Sequence, residues 1–190
     1  MVKRPVTVTW FAQISDAPID PSWRKELAIM STVTQEELQQ FVEHHEGLWW
    51  VRGGGPANRS WNGIRYKTGL SGKNSAARAL SMNVASVPPG AIAYAHIHDG
   101  FEVMLLILQG RVRHEYGPNL EHSVEHEAGD FIFIEPGVPH EVFNVSDSEP
   151  VVAVVARSTP DEWDKIVDYP SKYRDQAHGD RGRTLSVPTE

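Results

Sequence analysis

The stretch GAIAYAHIHDGFE, Gly90 to Glu102, decides how this chain reads. His96 and His98 stand two residues apart in an alternating run, and Glu102 follows an Asp99-Gly100 turn signal. Alternate residues of a strand share a face about 6.6 Å apart, so the two imidazoles project the same way. A second stretch, GDFIFIEPGVPHEVFN from Gly129 to Asn144, delivers His140 from another hairpin. One histidine on an apolar strand signals little. Three imidazoles and a carboxylate at these spacings form a metal-ligand set: His96, His98, Glu102 and His140.

Around these stretches the chain alternates like strands separated by turns. Strands are predicted at 64–68, 76–87, 91–98, 102–109, 111–116, 121–127, 130–135, 140–146 and 150–157. Turn signals fall at Pro88-Pro89-Gly90, Gly117-Pro118-Asn119, Gly129-Asp130 and Pro136-Gly137. Many short strands with regular turns predict a closed or sandwiched all-β domain over 61–157. Residues 1–60 read as an N-terminal extension: a strand near Val6–Phe11, a Pro-rich loop, and a helix capped by Thr34 and Glu37. In that helix Leu38, Phe41 and Val42 repeat, His44-His45 sit in the last turn, and Gly47 ends it. Residues 158–190 read as a short helix over 159–168 and a polar, weakly ordered tail.

Strand parity predicts what surrounds the ligands. Ile92 and Tyr94 follow His96 inward; Met104, Leu106 and Leu108 follow Glu102; Val142 and Asn144 follow His140. Before them, Leu80, Met82 and Val84 set the inner face at even positions, with Arg78 in phase. Arg78 is either an anchor for a substrate carboxylate or a rim side chain paired with an acid. Tyr94 is either a donor to a metal-bound oxygen or a core tyrosine. His114, His122 and His126, interleaved with glutamates, read as the solvated face of a hairpin. Glu135 is either a hydrogen-bond partner of a ligand histidine or an exposed turn residue. Five of the six tryptophans precede residue 62, which suggests that the extensions pack onto the barrel or a partner.

Composition excludes several classes. The 190 residues are 40% hydrophobic and 23% charged, an ordinary mixture for one domain with extensions. The net charge of −7 argues against nucleic-acid and anionic-membrane partners, which need a basic patch. No apolar run is long enough to cross a bilayer and no signal segment opens the chain, so a cytosolic protein is expected. With no cysteine there are no disulfides and no thiolate ligands. No phosphate loop or nucleophile elbow competes with the metal set.

The two histidine stretches resemble the two motifs of the cupin superfamily, the small jelly-roll barrels, over roughly Ala76 to Arg157. The chain departs from that pattern twice. The family usually leaves six residues between its glutamate and a closing glycine, whereas seven separate Glu102 from Gly110. It usually carries proline where this chain has Glu135. A β-bulge would absorb the extra residue. The resemblance implies a jelly-roll β-barrel, pairing into homodimers, and a divalent transition metal, with Fe(II) favoured over Mn(II), Zn(II) or Ni(II).

The chemistry then expected is a metal-dependent oxygenase that oxidises or cleaves a small organic substrate, as in cupins that act on aromatics and diketones. Arg78 and Tyr94 are its candidate catalytic residues. The alternatives are a redox-neutral isomerase, decarboxylase or lyase, and a cupin that binds a metal or small molecule without turnover. A closed, structural zinc site is the competing reading of the ligands themselves.

Overall fold

The computed structural model describes residues 41–52, 57–61, 64–161, 163–171 and 173. Among them the chain is strand and connecting loop. The strands are β1 (Val42–His45), β2 (Leu48–Val51), β3 (Ala57–Trp61), β4 (Ile64–Leu70), β5 (Ser81–Val87), β6 (Ile92–His98) and β7 (Val103–Gln109). They continue with β8 (Arg111–Tyr116), β9 (His122–Glu127), β10 (Phe131–Ile134), β11 (His140–Asn144), β12 (Val151–Arg157) and β13 (Ile166–Asp168). Six form one antiparallel sheet in the order β10-β7-β12-β5-β4-β3, and five form another in the order β13-β6-β11-β8-β9. Ile64, Tyr66, Val103, Ile107, Val112 and Val155 fill the space between them. The fold is all-β and of jelly-roll type. Among the described residues no hydrogen-bonded ladder joins the two sheets, so there the expected barrel is an open sandwich rather than a closed one.

Three expectations change. Phe41 and Val42 do not continue a helix: β1 and β2 form a hairpin, turning at Glu46 and Gly47 with φ of 45° and 87°. Two consecutive left-handed residues make the tight turn that matches strand twist. His44 therefore stacks on Trp49 at 4.4 Å instead of closing a helix. The C-terminal helix over 159–168 is also absent; Ile166–Asp168 instead adds an edge strand to β6, with Asp168 opposite His96. Finally, residues 76–80 leave the ladder. Asn74 ties this loop by accepting from Ser71 N (2.9 Å) and donating to Gly69 O (2.9 Å), turn chemistry that ends β4. The predicted strand at Val6–Phe11 and the Thr34 cap lie outside the described residues.

Phase decides which side chains face the interior. On β5 the odd-numbered Ser81, Asn83, Ala85 and Val87 are buried, as is Ser86, while Met82 and, just before the strand, Leu80 are exposed at 53% and 64%. The even-position inner face expected there is thus the outer one. β7 and its neighbour β10 behave alike: Val103 and Ile107 of β7 are core, while Met104 of β7 and Phe131 and Phe133 of β10 are exposed outside. Apolar residues on both faces of a strand leave hydrophobicity unable to say which face is inner.

Candidate metal centre

β6 and β11 pair so that His140 lies opposite His96, and His98 follows two residues along β6. The ring centroids are 4.3 Å apart for His96 and His140, and 5.0 Å for each pair with His98. One nitrogen from each ring lies within 4.8 Å of the others, and all three residues are buried. Small χ rotations would let one ion take three bonds near 2.1 Å.

Backbone carbonyls orient two of the rings. His96 Nδ1 lies 2.8 Å from Tyr94 O, and His140 Nδ1 lies 3.0 Å from Val138 O. Each Nδ1–H donates to its carbonyl, which leaves Nε2 as the lone-pair nitrogen facing inward. The turn of the second motif is fastened to the first, because Gly137 N donates to His98 O at 2.8 Å.

The histidines are held neutral, the form a metal needs. Burial, then the charge a protonated His140 or His98 would carry, pushes His96 well below its ordinary 6.5. Burial first and His140 second lower His98 to about 2, and burial lowers His140 to about 4. Three neutral, buried imidazoles with converging nitrogens fit a divalent transition metal.

Glu102 does not join them. Phe101 and Val103 on either side are buried, at 4% and 2%, so the strand turns Glu102 outward into solvent. Its backbone anchors the strand end instead: Ser158 Oγ accepts from Glu102 N and Glu102 O accepts from Ser158 N. The position that leaves six residues before Gly110 is Val103, and Val103 lines the same cavity as the histidines. Farther along, Gln109 and Ile107 pair with the adjacent Val152 and Ala153, a bulge at Leu108 that lies beyond the inward-facing Val103 and Ile107. Valine thus stands at the inward position of this pattern.

Neither expected catalytic residue reaches the cavity. Arg78 is exposed in the loop before β5. Between His140 and Val142, β11 steps from His96 to Ala93, so a bulge in β6 breaks the alternation and brings Ala93 into the core. Tyr94 is half-buried and contributes its carbonyl to His96. Asn144 is structural: its amide donates to Val87 O, Pro88 O and Glu149 O at 2.7–3.0 Å. Glu135 is an exposed turn residue.

Two residues on the cavity wall escaped the sequence reading: His114, expected on the solvated face of a hairpin, is turned inward, and Arg157 was not singled out. His114 is buried at 4% exposure, its ring 6.5 Å from His140 and 5.1 Å from His126. Burial, then His140 and His126, lowers it to about 3. The signal was the alternation of β8, where Val112 and His114 share a face opposite Arg111, Arg113 and Glu115. Arg157, buried at 3%, comes from the facing sheet, where Nη1 donates to Asn83 Oδ1 at 3.2 Å. Its signal was a cation ending the apolar run of β12. The cavity these groups share is about 60 Å³, and Val103, Leu105, Ile107, Ile134 and Val155 make much of the rest of its wall.

The family described as "Cupin domain" matches residues 83–157, the span that carries all three histidines. This segment is a cupin domain. No curated protein matches the chain. Among solved structures, the cupin fold here is similar to a predicted oxalate decarboxylase of Thermotoga maritima, at 21% identity over 50% of this chain and 80% of that one, with a TM-score of 0.45. It is also similar to oxalate decarboxylase of Lactobacillus farciminis in a formate complex, at 16% identity over 65% and 38% with a TM-score of 0.50. A variant of the Bacillus subtilis oxalate decarboxylase gives 19% over 67% and 35%, also at 0.50. The chain thus spans 38% and 35% of the two latter proteins, and identities this low show a shared fold alone.

Proposed function

We propose that this protein is a metal-dependent cupin enzyme that oxidises or cleaves a small organic molecule, with His96, His98 and His140 holding Fe(II). The observation that carries this reading is a cluster of three neutral imidazoles facing an apolar cavity, with no carboxylate on its wall among the described residues. Three ligands leave coordination positions for a chelating substrate and dioxygen, which a closed four-ligand zinc site would not. When bound, the ion would polarise a substrate oxygen and activate dioxygen. The protein's share is to fix the Nδ1–H tautomers of His96 and His140 through Tyr94 O and Val138 O, leaving Nε2 free, and to keep water out with Val103, Leu105 and Val155.

A redox-neutral reaction such as decarboxylation on Mn(II) is supported about equally, by His114. That chemistry needs a proton donor or acceptor beside the substrate, and a neutral imidazole on the cavity wall supplies one. Oxygen uptake by Fe(II)-loaded protein, screened over diketones, hydroxy-ketones and small acids, separates the two. Uptake supports the oxygenase; release of carbon dioxide without oxygen consumption supports the second reading. Stoichiometric zinc and no iron in protein purified without added metal would count against the oxygenase. His140→Ala should abolish metal binding, and retained stoichiometric metal would show that the ligand set is wrong.

We propose also that two copies pair. The outer face of the six-stranded sheet exposes Met82, Met104, Phe131 and Phe133, with Leu80 just before β5, an apolar patch of the kind that marks protein contacts. Sedimentation should give a dimer that Phe131→Lys with Phe133→Lys converts to monomer; a monomeric parent protein would exclude this.

A further inference from the structure

Glu141 follows His140 on β11, so its side chain leaves the strand on the face turned away from the histidines. It is 0% exposed. A carboxylate loses its hydration in such a place, and an apolar side chain would fill the same volume without that cost. Hydrogen bonds compensate it. Ala95 N donates to Oε1 at 3.2 Å, and Ser171 Oγ lies 2.7 Å from Oε1 and 2.8 Å from Oε2. Ser171 Oγ also accepts from Tyr173 N at 3.1 Å, so the hydroxyl proton is directed at the carboxylate.

Ala95 belongs to the bulge of β6. There Tyr94 and Ala95 together face Glu141, because the register steps from His140 and His96 to Val142 and Ala93. A bulge takes backbone groups out of the regular ladder and re-aims the side chains beside it. The next residue is the ligand His96, and a slip of one place would exchange its two faces. The segment that includes β13 grips the same spot from the other edge of β6. Asp168 pairs with His96, and Tyr169 N donates to Ala95 O at 2.9 Å. Tyr173 then packs edge-on against Phe143 of β11, with ring centroids 5.1 Å apart. Ala95 is thus held at its nitrogen by Glu141 and at its oxygen by Tyr169, immediately before a ligand.

We propose that Glu141 and Ser171 are positioning residues for the metal centre: the carboxylate secures the β6 bulge through Ala95 N, and the Ser171 hydroxyl secures the carboxylate. The segment from Ile166 to Ser171 is then a strap that fixes how His96 meets His98 and His140. Neither side chain enters the cavity; each acts through the backbone beside a histidine. The role rests on the metal reading proposed above and adds to it the groups that hold two of its ligands in register.

Full-length protein loaded with Co(II) tests this, through its visible absorption and through competition with a chelator. Glu141→Leu fills the space without an acceptor and should loosen Co(II) about tenfold and alter its visible bands. Glu141→Gln keeps an acceptor for Ala95 N and should stay within about threefold of the parent. Ser171→Ala should loosen Co(II) about threefold to fivefold, and Ser171→Thr, which keeps the hydroxyl, should reverse most of that. Amide hydrogen exchange reads the link itself: protection of Ala95 N–H should fall at least about tenfold in Glu141→Leu, with Val155 N–H unaltered. Gly110→Ala, a strained change in the turn between β7 and β8, should leave the cobalt bands as they are. Where Glu141→Leu does not fold, Ser171→Ala against Ser171→Thr carries the decision. Unchanged affinity and bands in Glu141→Leu, or an equal change in Gly110→Ala, would overturn the positioning role and leave the metal reading standing. A parent protein that binds no Co(II) sinks the metal reading and this role with it.

Discussion

Val103 lies in a strand whose inward side chains are odd-numbered, one place after a glutamate that would be a metal ligand in the opposite phase. A single step along a strand exchanges its two faces, so the difference between a three-ligand and a four-ligand centre is a matter of register. Glu102→Gln should therefore leave metal affinity within about twofold, whereas Val103→Glu should tighten it about tenfold or more, near 1.4 kcal/mol. The same Val103→Glu change should weaken the metal-free fold by a few kcal/mol, because it buries a carboxylate that only the ion would compensate. Competition with a fluorescent chelator reads both. If Glu102→Gln loosens the metal and Val103→Glu does not, the phase described here is wrong. The three histidines were legible because His96 and His98 stand two apart beyond the β6 bulge and His140 pairs directly with His96. Glu102 was misleading because its spacing to the histidines is right and only its phase is not.

The elements were legible in proportion to their periodicity. β6 through β12 fall within one or two residues of their predicted spans, since each is an alternating or apolar run between turn residues. β13 is three residues long and gives no periodic signal, and the repeat at Leu38, Phe41 and Val42 suggested a helix where the Glu46-Gly47 turn makes a hairpin. Inner and outer faces were not legible on β7, which is apolar on both sides, nor on β5, where the buried face carries the polar Ser81 and Asn83 and the exposed one Met82. Turns carry their own constraint. Gly110, between β7 and β8, has φ of 85°, and a Cβ there would stand 2.8 Å from Pro150 O. Gly110→Ala is expected to cost about 1–3 kcal/mol in urea unfolding with metal stoichiometry unchanged. A loss under a few tenths would show that the turn has room to relax.

For the molecule as a whole, the interior histidines set how stability follows pH. His98, His114 and His140 titrate near 2, 3 and 4 when folded, against an ordinary 6.5. Between those limits the unfolded chain binds more protons than the folded one, so stability rises with pH there. The metal-free protein should keep its full stability above about pH 6.5 and lose it as pH falls towards 4, at about 1.4 kcal/mol for each unit of pKa difference. Thermal midpoints at pH 7.5, 6, 5 and 4.5 would show this, with His114→Phe giving a flatter profile. A midpoint constant down to pH 4.5 would contradict it.

All three ligating rings come from β6 and β11, neighbours in one leaf of the sandwich, while the guanidinium belongs to the other. An ion so held travels with a single leaf. Gaping of the two leaves along their unjoined margins would release whatever is clasped between them and still leave the cation seated, so exchange of the small molecule and retention of the metal become independent events.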